Sequence, residues 1–371
     1  MKRSHLLQLI FVGFALKAIY FAFSLVYIDY ASIDILKRND SFWYEKIAVN
    51  GHEKITPEEL GKCDEDNIEQ SYYAFFPLYP IVIGGSMWIT GLGFDGVAFF
   101  YSIFLMLCLS ILMYWYAFIF SNRNSKIAFY SALILLIFPF HYYFSVFYTE
   151  SLFLVILLGL LISIEYKSLS GLLILSSMLV LVRPNGLFTL VPVGLYYLEK
   201  RTNSFSIGDL IKTIKFKDIL KLKVFAVPVI VFAGYCLYLY FMTGDFFAYK
   251  TAQVGWCRET VMPWIPFMEA KDGFDYFRIV YFIFFVGILF FSIRKIPFSL
   301  FVFIGMNLAI PLVANSIPSP RFISVLFVFS ILFALKIEKL PRPLIATIFA
   351  VMLIGQLWSF SYWLDSSPFS Y

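Results

Sequence analysis

Charge is what this sequence has least of. Only 14% of its 371 residues are Asp, Glu, Lys or Arg, against about 25% in an ordinary soluble domain. With 61% apolar residues and a mean hydropathy of +0.81, the chain lacks the polar surface to enclose its own core in water, so lipid must cover it. Cysteine is also scarce: Cys63, Cys108, Cys236 and Cys257 include no C-x-x-C pair, which removes zinc-ribbon and thioredoxin-type chemistry. H-E-x-x-H, G-x-x-x-x-G-K-[ST] and G-x-S-x-G are all missing, so metalloprotease, P-loop and serine-hydrolase readings have no footing. No basic run is interleaved with aromatics, which argues against a nucleic-acid partner. No internal repeat, low-complexity tract or second domain is visible.

What is present is a series of long apolar runs. Residues 6–28, 97–119, 127–144, 152–166, 224–241, 277–293, 298–314, 322–335 and 344–364 each approach the roughly 20 residues a membrane helix needs. The first run is longer than the 7–15 residues of a signal-peptide core and no small-residue cleavage site follows it, so it reads as a retained first helix. Two further stretches are interrupted. Residues 75–92 carry Pro77, Pro80, Gly84, Gly85 and Gly91, and residues 172–198 contain Arg183-Pro184-Asn185-Gly186. Cytoplasmic loops collect Lys and Arg. That bias is met when 75–92 lies in the outer interface and Arg183–Gly186 is a turn between two short helices. The expectation is an all-α polytopic protein of about eleven transmembrane helices in a single domain, with a cytoplasmic N-terminus and an external C-terminus. Backbone turning below the outer surface must line protein or a watery cavity, so the Arg183 turn points to a site.

Two long loops then face outward. The first, 29–95, holds the interfacial segments, and its part from Asp29 to Ala74 carries 11 acidic residues against five basic ones. The second, 242–276, is rich in Trp, Pro and Gly, and a loop of that length favours function. Cys63 and Cys257 fall one in each; they are read either as a disulfide in an oxidising compartment or as two separate thiols. The inner loop 199–223 has seven basic residues and suits anionic lipid headgroups.

The chemistry-bearing candidates are few. Asp40 precedes an aromatic amphipathic segment containing Trp43, Tyr44 and Ile47; it is read either as a helix cap or as a general base. Tyr148-Thr149-Glu150-Ser151 opens a helix, where Glu150 suits the dipole. Arg183 stands in an apolar stretch, where a cation costs about 2.5–3.5 kcal/mol. Asn185 and Gly186 follow at a helix N-terminus, a natural phosphate site. Ser319-Pro320-Arg321 opens another helix, and a cation in that first turn calls for a nearby anion. Gln253, Trp256 and Arg258 offer stacking and anion contacts, or an interfacial belt. No cofactor is expected, although Asp64, Glu65, Asp66 and Glu69 offer loose ligands for a divalent metal.

In order along the chain stand Asp40-Ser41-x-Trp43-Tyr44-x-x-Ile47-Ala48-x-x-Gly51, Ala74-Phe75-Phe76-Pro77-Leu78-Tyr79-Pro80, Phe144-Ser145-Val146-Phe147-Tyr148-Thr149-Glu150-Ser151-Leu152-Phe153, Arg183-Pro184-Asn185-Gly186, Gln253…Trp256-x-Arg258 with its following Pro-Trp, and Pro320-Arg321-Phe322. This succession resembles the PIG-V family of mannosyltransferases, within the multi-spanning GT-C superfamily. Asn39, His52 and Cys257 depart from the family pattern. The resemblance implies a GT-C-type bundle. It also implies inverting transfer of a hexose from a polyprenyl-phosphate donor, dolichyl-phosphate mannose in eukaryotic members, to a glycan or glycolipid acceptor on the outer or luminal face. Asp40 would be the general base. Tyr44, Tyr148, Glu150, Arg183, Asn185, Gln253, Trp256, Arg258 and Arg321 would bind substrate or the donor phosphate. Two other readings remain: a transporter or flippase of lipid-linked sugars, and an inactive assembly subunit.

Overall fold

The computed structural model describes residues 2–64 and 67–367. Its principal helices are α1 (Arg3–Ile28), α2 (Asp40–Asn50), α3 (Leu78–Thr90), α4 (Phe94–Phe120), α5 (Ser125–Ile137), α6 (Glu150–Glu165), α7 (Leu169–Leu179), α8 (Pro184–Thr202), α9 (Ala226–Thr243), α10 (Gly273–Ser292), α11 (Phe298–Val313), α12 (Pro320–Ser324), α13 (Val328–Ile337) and α14 (Arg342–Leu364). The one sheet among the described residues is a hairpin, with β1 (Lys62–Cys63) antiparallel to β2 (Ile68–Glu69). The fold is therefore all-α and membrane-embedded. Among the described residues, five helical stretches are long and apolar enough to cross a membrane: α1, α4, Phe216–Thr243, α10 and α14. The helices α3, α5, α7, α11 and α13 are apolar but shorter.

Two apolar runs are broken where an unbroken helix is expected. The run 127–144 stops being α-helical at Ile137, because Pro139 forces Phe138 into extended backbone (φ −67°, ψ 145°). A 3-10 turn, His141–Phe144, follows. The run 322–335 is split between α12 and α13, and no glycine or proline marks that break. The 75–92 stretch becomes helical only from Leu78, and its thirteen residues rise about 20 Å, short of a 30 Å hydrocarbon core.

The chain divides into two compact units, each discontinuous in sequence. One comprises 1–41, 91–162 and 319–371. In it α4 packs on α5, α5 on α13, and α1 on α4 and α14. Small residues allow the approach, as lipid-embedded helices require. Ala98, Ala117, Ala128, Ala132, Ser110 and Ser131 are fully buried, and a Cβ at Gly13 would lie 2.9 Å from Leu107 of α4. The other unit comprises 42–90 and 163–318. In it α8 packs on α11 and α7 on α9. The N-terminus of α8 lies so close to the end of α7 that a Cβ on Gly186 would sit 1.9 Å from the Leu179 carbonyl oxygen.

Candidate functional site

In the first unit three residues far apart in sequence meet. Asp40 is the first residue of α2, set there by Asn39 in the left-handed region (φ 45°) and by the Ser41 hydroxyl donating to the Phe147 carbonyl (3.2 Å). Glu150 is the first residue of α6. Arg321 is the second residue of α12, after Pro320. Arg321 Nη1 lies 2.7 Å from Asp40 Oδ2, and its Nε lies 2.5 Å from Glu150 Oε1. The anion that Arg321 calls for is supplied by the chain itself: one guanidinium serves two carboxylates, an arrangement its planar fork permits. The guanidinium also stacks on the ring of Tyr148, 4.1 Å from its centroid.

Exposure is graded across this cluster. The Glu150 side chain is 0% exposed, Arg321 11% and Asp40 21%. Asp40 is therefore the carboxylate a ligand can reach, while Glu150 anchors the guanidinium from behind. Behind Tyr148 the wall is aromatic. Tyr143 stacks parallel to it, and Trp363 of α14 meets it edge-on at 5.2 Å. The Trp363 indole donates to the Ile35 carbonyl (2.7 Å), which fixes the ring. Burial pushes the Tyr148 hydroxyl well above its ordinary pKa, so it stays protonated.

The remaining expected site residues belong to the second unit, where the segment Ala74–Leu78 is a hub. The Ala74 carbonyl accepts from Gln253 Nε2 (3.5 Å), and Gln253 Oε1 accepts from Arg258 Nη1 (2.6 Å). The Phe75 ring packs against Trp256, Trp43 and Tyr44. Tyr44 is buried there and also meets Tyr79 at 5.1 Å. The Leu78 amide donates to the Leu181 carbonyl (3.0 Å), two residues before Arg183. Arg183 is buried, in extended backbone, and N-caps α8 with Pro184 in its first turn. Asn185 Nδ2 donates to Asn307 Oδ1 of α11 (3.2 Å).

Cys63 and Cys257 form a disulfide, which ties the β-hairpin to the turn carrying Trp256 and Arg258. His52 stacks on Tyr73 and its Nδ1 is 3.2 Å from the Tyr238 hydroxyl. Burial lowers the His52 pKa to about 4, so the ring is neutral at pH 7. Of the acidic residues that offered metal ligands, Glu65 and Asp66 lie outside the described residues. Glu69 accepts from Asn67 (2.8 Å) and pairs with Lys62 (3.8 Å). Among the described residues no three His, Cys, Asp or Glu side chains cluster as a metal site would need.

Sequence reasoning passed over several residues that support the cluster: Tyr143, Trp363, Gln356 and Lys17. Only Lys17 carried a signal, as the one Lys, Arg, Asp or Glu of the apolar run 6–28. Comparison with models of known protein families gives no match, and comparison with curated proteins gives none either.

Proposed function

We propose that this chain is an integral membrane glycosyltransferase of GT-C type. It transfers a hexose, with mannose the first candidate, from a polyprenyl-phosphate sugar to a glycan or glycolipid hydroxyl, with inversion at the anomeric carbon. The observation that carries the reading is the convergence of Asp40, Glu150 and Arg321 within one unit. These are charged residues from three separate motifs of the resemblance, and the most accessible of them is the residue proposed as base.

In the reaction the acceptor O–H gives its proton to the Asp40 carboxylate. The oxygen bonds to the anomeric carbon, and the polyprenyl phosphate leaves with the electron pair of the broken C–O bond. Arg321 holds Asp40 in one orientation, which lowers the entropic cost of presenting the base. Arg183, Asn185 and Arg258 are the proposed partners of the donor phosphate, with Gln253 and Trp256 beside them; their motifs carry that assignment. Eleven spans, a cytoplasmic N-terminus and an active site on the outer or luminal face complete the proposal, on the strength of the Lys/Arg distribution.

The test is transfer of labelled mannose from polyprenyl-phosphate mannose by purified protein, comparing wild type with Asp40→Asn at equal folded amounts. Wild-type turnover that drops by about 10²-fold or more in Asp40→Asn supports both the activity and the base. Equal turnover in the two rejects Asp40 as base. Absence of turnover with mannose and with other hexose donors rejects the enzyme and favours a transporter or an assembly subunit.

A further inference from the structure

We propose that Lys17, at the middle of α1, is a positioning residue that fixes the irregular segment delivering Tyr148 and Glu150 to the cluster. That segment runs from Phe138 to Thr149, between α5 and α6. It is almost wholly buried, and Phe140 within it adopts left-handed backbone (φ 67°). Apart from the 3-10 turn His141–Phe144, its backbone is neither helical nor solvated, and such backbone inside a membrane protein must find hydrogen bonds from its neighbours.

Those bonds come from polar side chains on the flanking helices. Ser359 of α14 accepts from the Phe140 amide (2.9 Å), and Gln356 of the same helix donates to the carbonyl of Leu136, in the last turn of α5 just before the segment (3.0 Å). Lys17 donates to the Ser145 carbonyl and lies 2.9 Å from the Ser102 hydroxyl of α4. Lys17 is 4% exposed, and among the described residues no carboxylate pairs with it. An ionisable side chain held in an apolar bundle without a counter-charge is costly to insert and marks a role.

The role follows from where the ammonium ends. Ser145 is three residues before Tyr148, the ring under Arg321, and five before Glu150, the anchor of Arg321. The long lysine stem spans from α1 to that carbonyl. Lys17 therefore acts through the 138–149 segment and touches neither Asp40 nor Arg321.

The consequence for turnover rests on the proposed transferase activity; the consequence for the segment does not. The experiment compares wild type, Lys17→Met and Lys17→Gln in lipid nanodiscs, by amide hydrogen exchange and by transfer kinetics with polyprenyl-phosphate mannose. Lys17→Met keeps the shape and removes the donor. Its amides between 140 and 149 should exchange about tenfold faster or more, with α4 and α14 unchanged. Its kcat should fall about 10- to 100-fold with the donor KM held within about twofold. Lys17→Gln, which restores a neutral donor, should recover much of both. Exchange at 140–149 equal to wild type in Lys17→Met overturns the proposal. So does loosening spread over the whole unit, or failure of both variants to fold, because either makes Lys17 a general structural residue. If wild type shows no transfer, the activity reading fails alone and the exchange data still decide the role of Lys17.

Discussion

At the scale of the residue, Arg321 breaks a local rule for a visible reason. A helix N-terminus disfavours a cation, yet α12 opens with one because two carboxylates wait for it. The sequence announced that an anion was needed but could not name it, since Asp40 and Glu150 lie 281 and 171 positions away. Removing one partner of such a set leaves the other buried without its charge. Arg321→Met should therefore lower unfolding stability in detergent by about 3–5 kcal/mol. Adding Glu150→Gln to that variant should recover at least about 1 kcal/mol, because the two sites are coupled. Arg321→Lys should fall between, as an ammonium cannot serve two carboxylates in a planar fork. An Arg321→Met protein that melts like wild type would show that the cluster contributes no stability.

At the scale of the element, the long helices were legible and the breaks were only partly so. The runs 6–28, 97–119 and 344–364 are continuous in apolar character and became α1, α4 and α14 with ends shifted by three residues at most. Pro139 stands inside the run 127–144, but apolar character continues on both sides of it and conceals the break. The break between α12 and α13 has no punctuating residue, so tertiary packing sets it and no local pattern reports it. The break between α7 and α8 was expected at Arg183–Gly186; it falls at 180–183 instead, because Pro184 takes the first helical position and Asn185 and Gly186 continue α8. What the sequence could not give was how closely α7 and α8 approach. Gly186→Ala would drive a Cβ into the Leu179 carbonyl, and backbone cannot step aside as a side chain can. A stability loss of about 3 kcal/mol or more in thermal unfolding is the expected outcome. Gly287→Ala and Gly305→Ala, where nothing lies within 4 Å, should instead be neutral or stabilise by up to about 1 kcal/mol. Equal effects at all three positions would refute the close approach.

At the scale of the whole molecule, the sequence left the pairing of Cys63 and Cys257 open, because two cysteines 194 residues apart carry no local sign of contact. Paired, they close the long chain segment between the two loops. The chain-entropy estimate for such a loop is at most about 5 kcal/mol, an upper bound for helices already confined by lipid. A protease site engineered between residues 203 and 206 gives a direct readout. The two fragments should migrate together on a non-reducing gel and separate once reductant is added. Separation without reductant would remove the disulfide and, with it, the assignment of both loops to an oxidising compartment.

The interleaving of the two units also sets an order of events during synthesis. Residues 42–90 and 163–318 are complete before residue 319 leaves the ribosome, whereas the unit holding Asp40 and Glu150 draws its last segment from 319–371. At about 5–20 residues per second, Glu150 waits roughly 10–35 s for the guanidinium that it anchors. The cluster thus cannot form before residue 321 emerges, and a ribosome stalled before Arg321 would hold a protein with most of its helices in place and no oriented base.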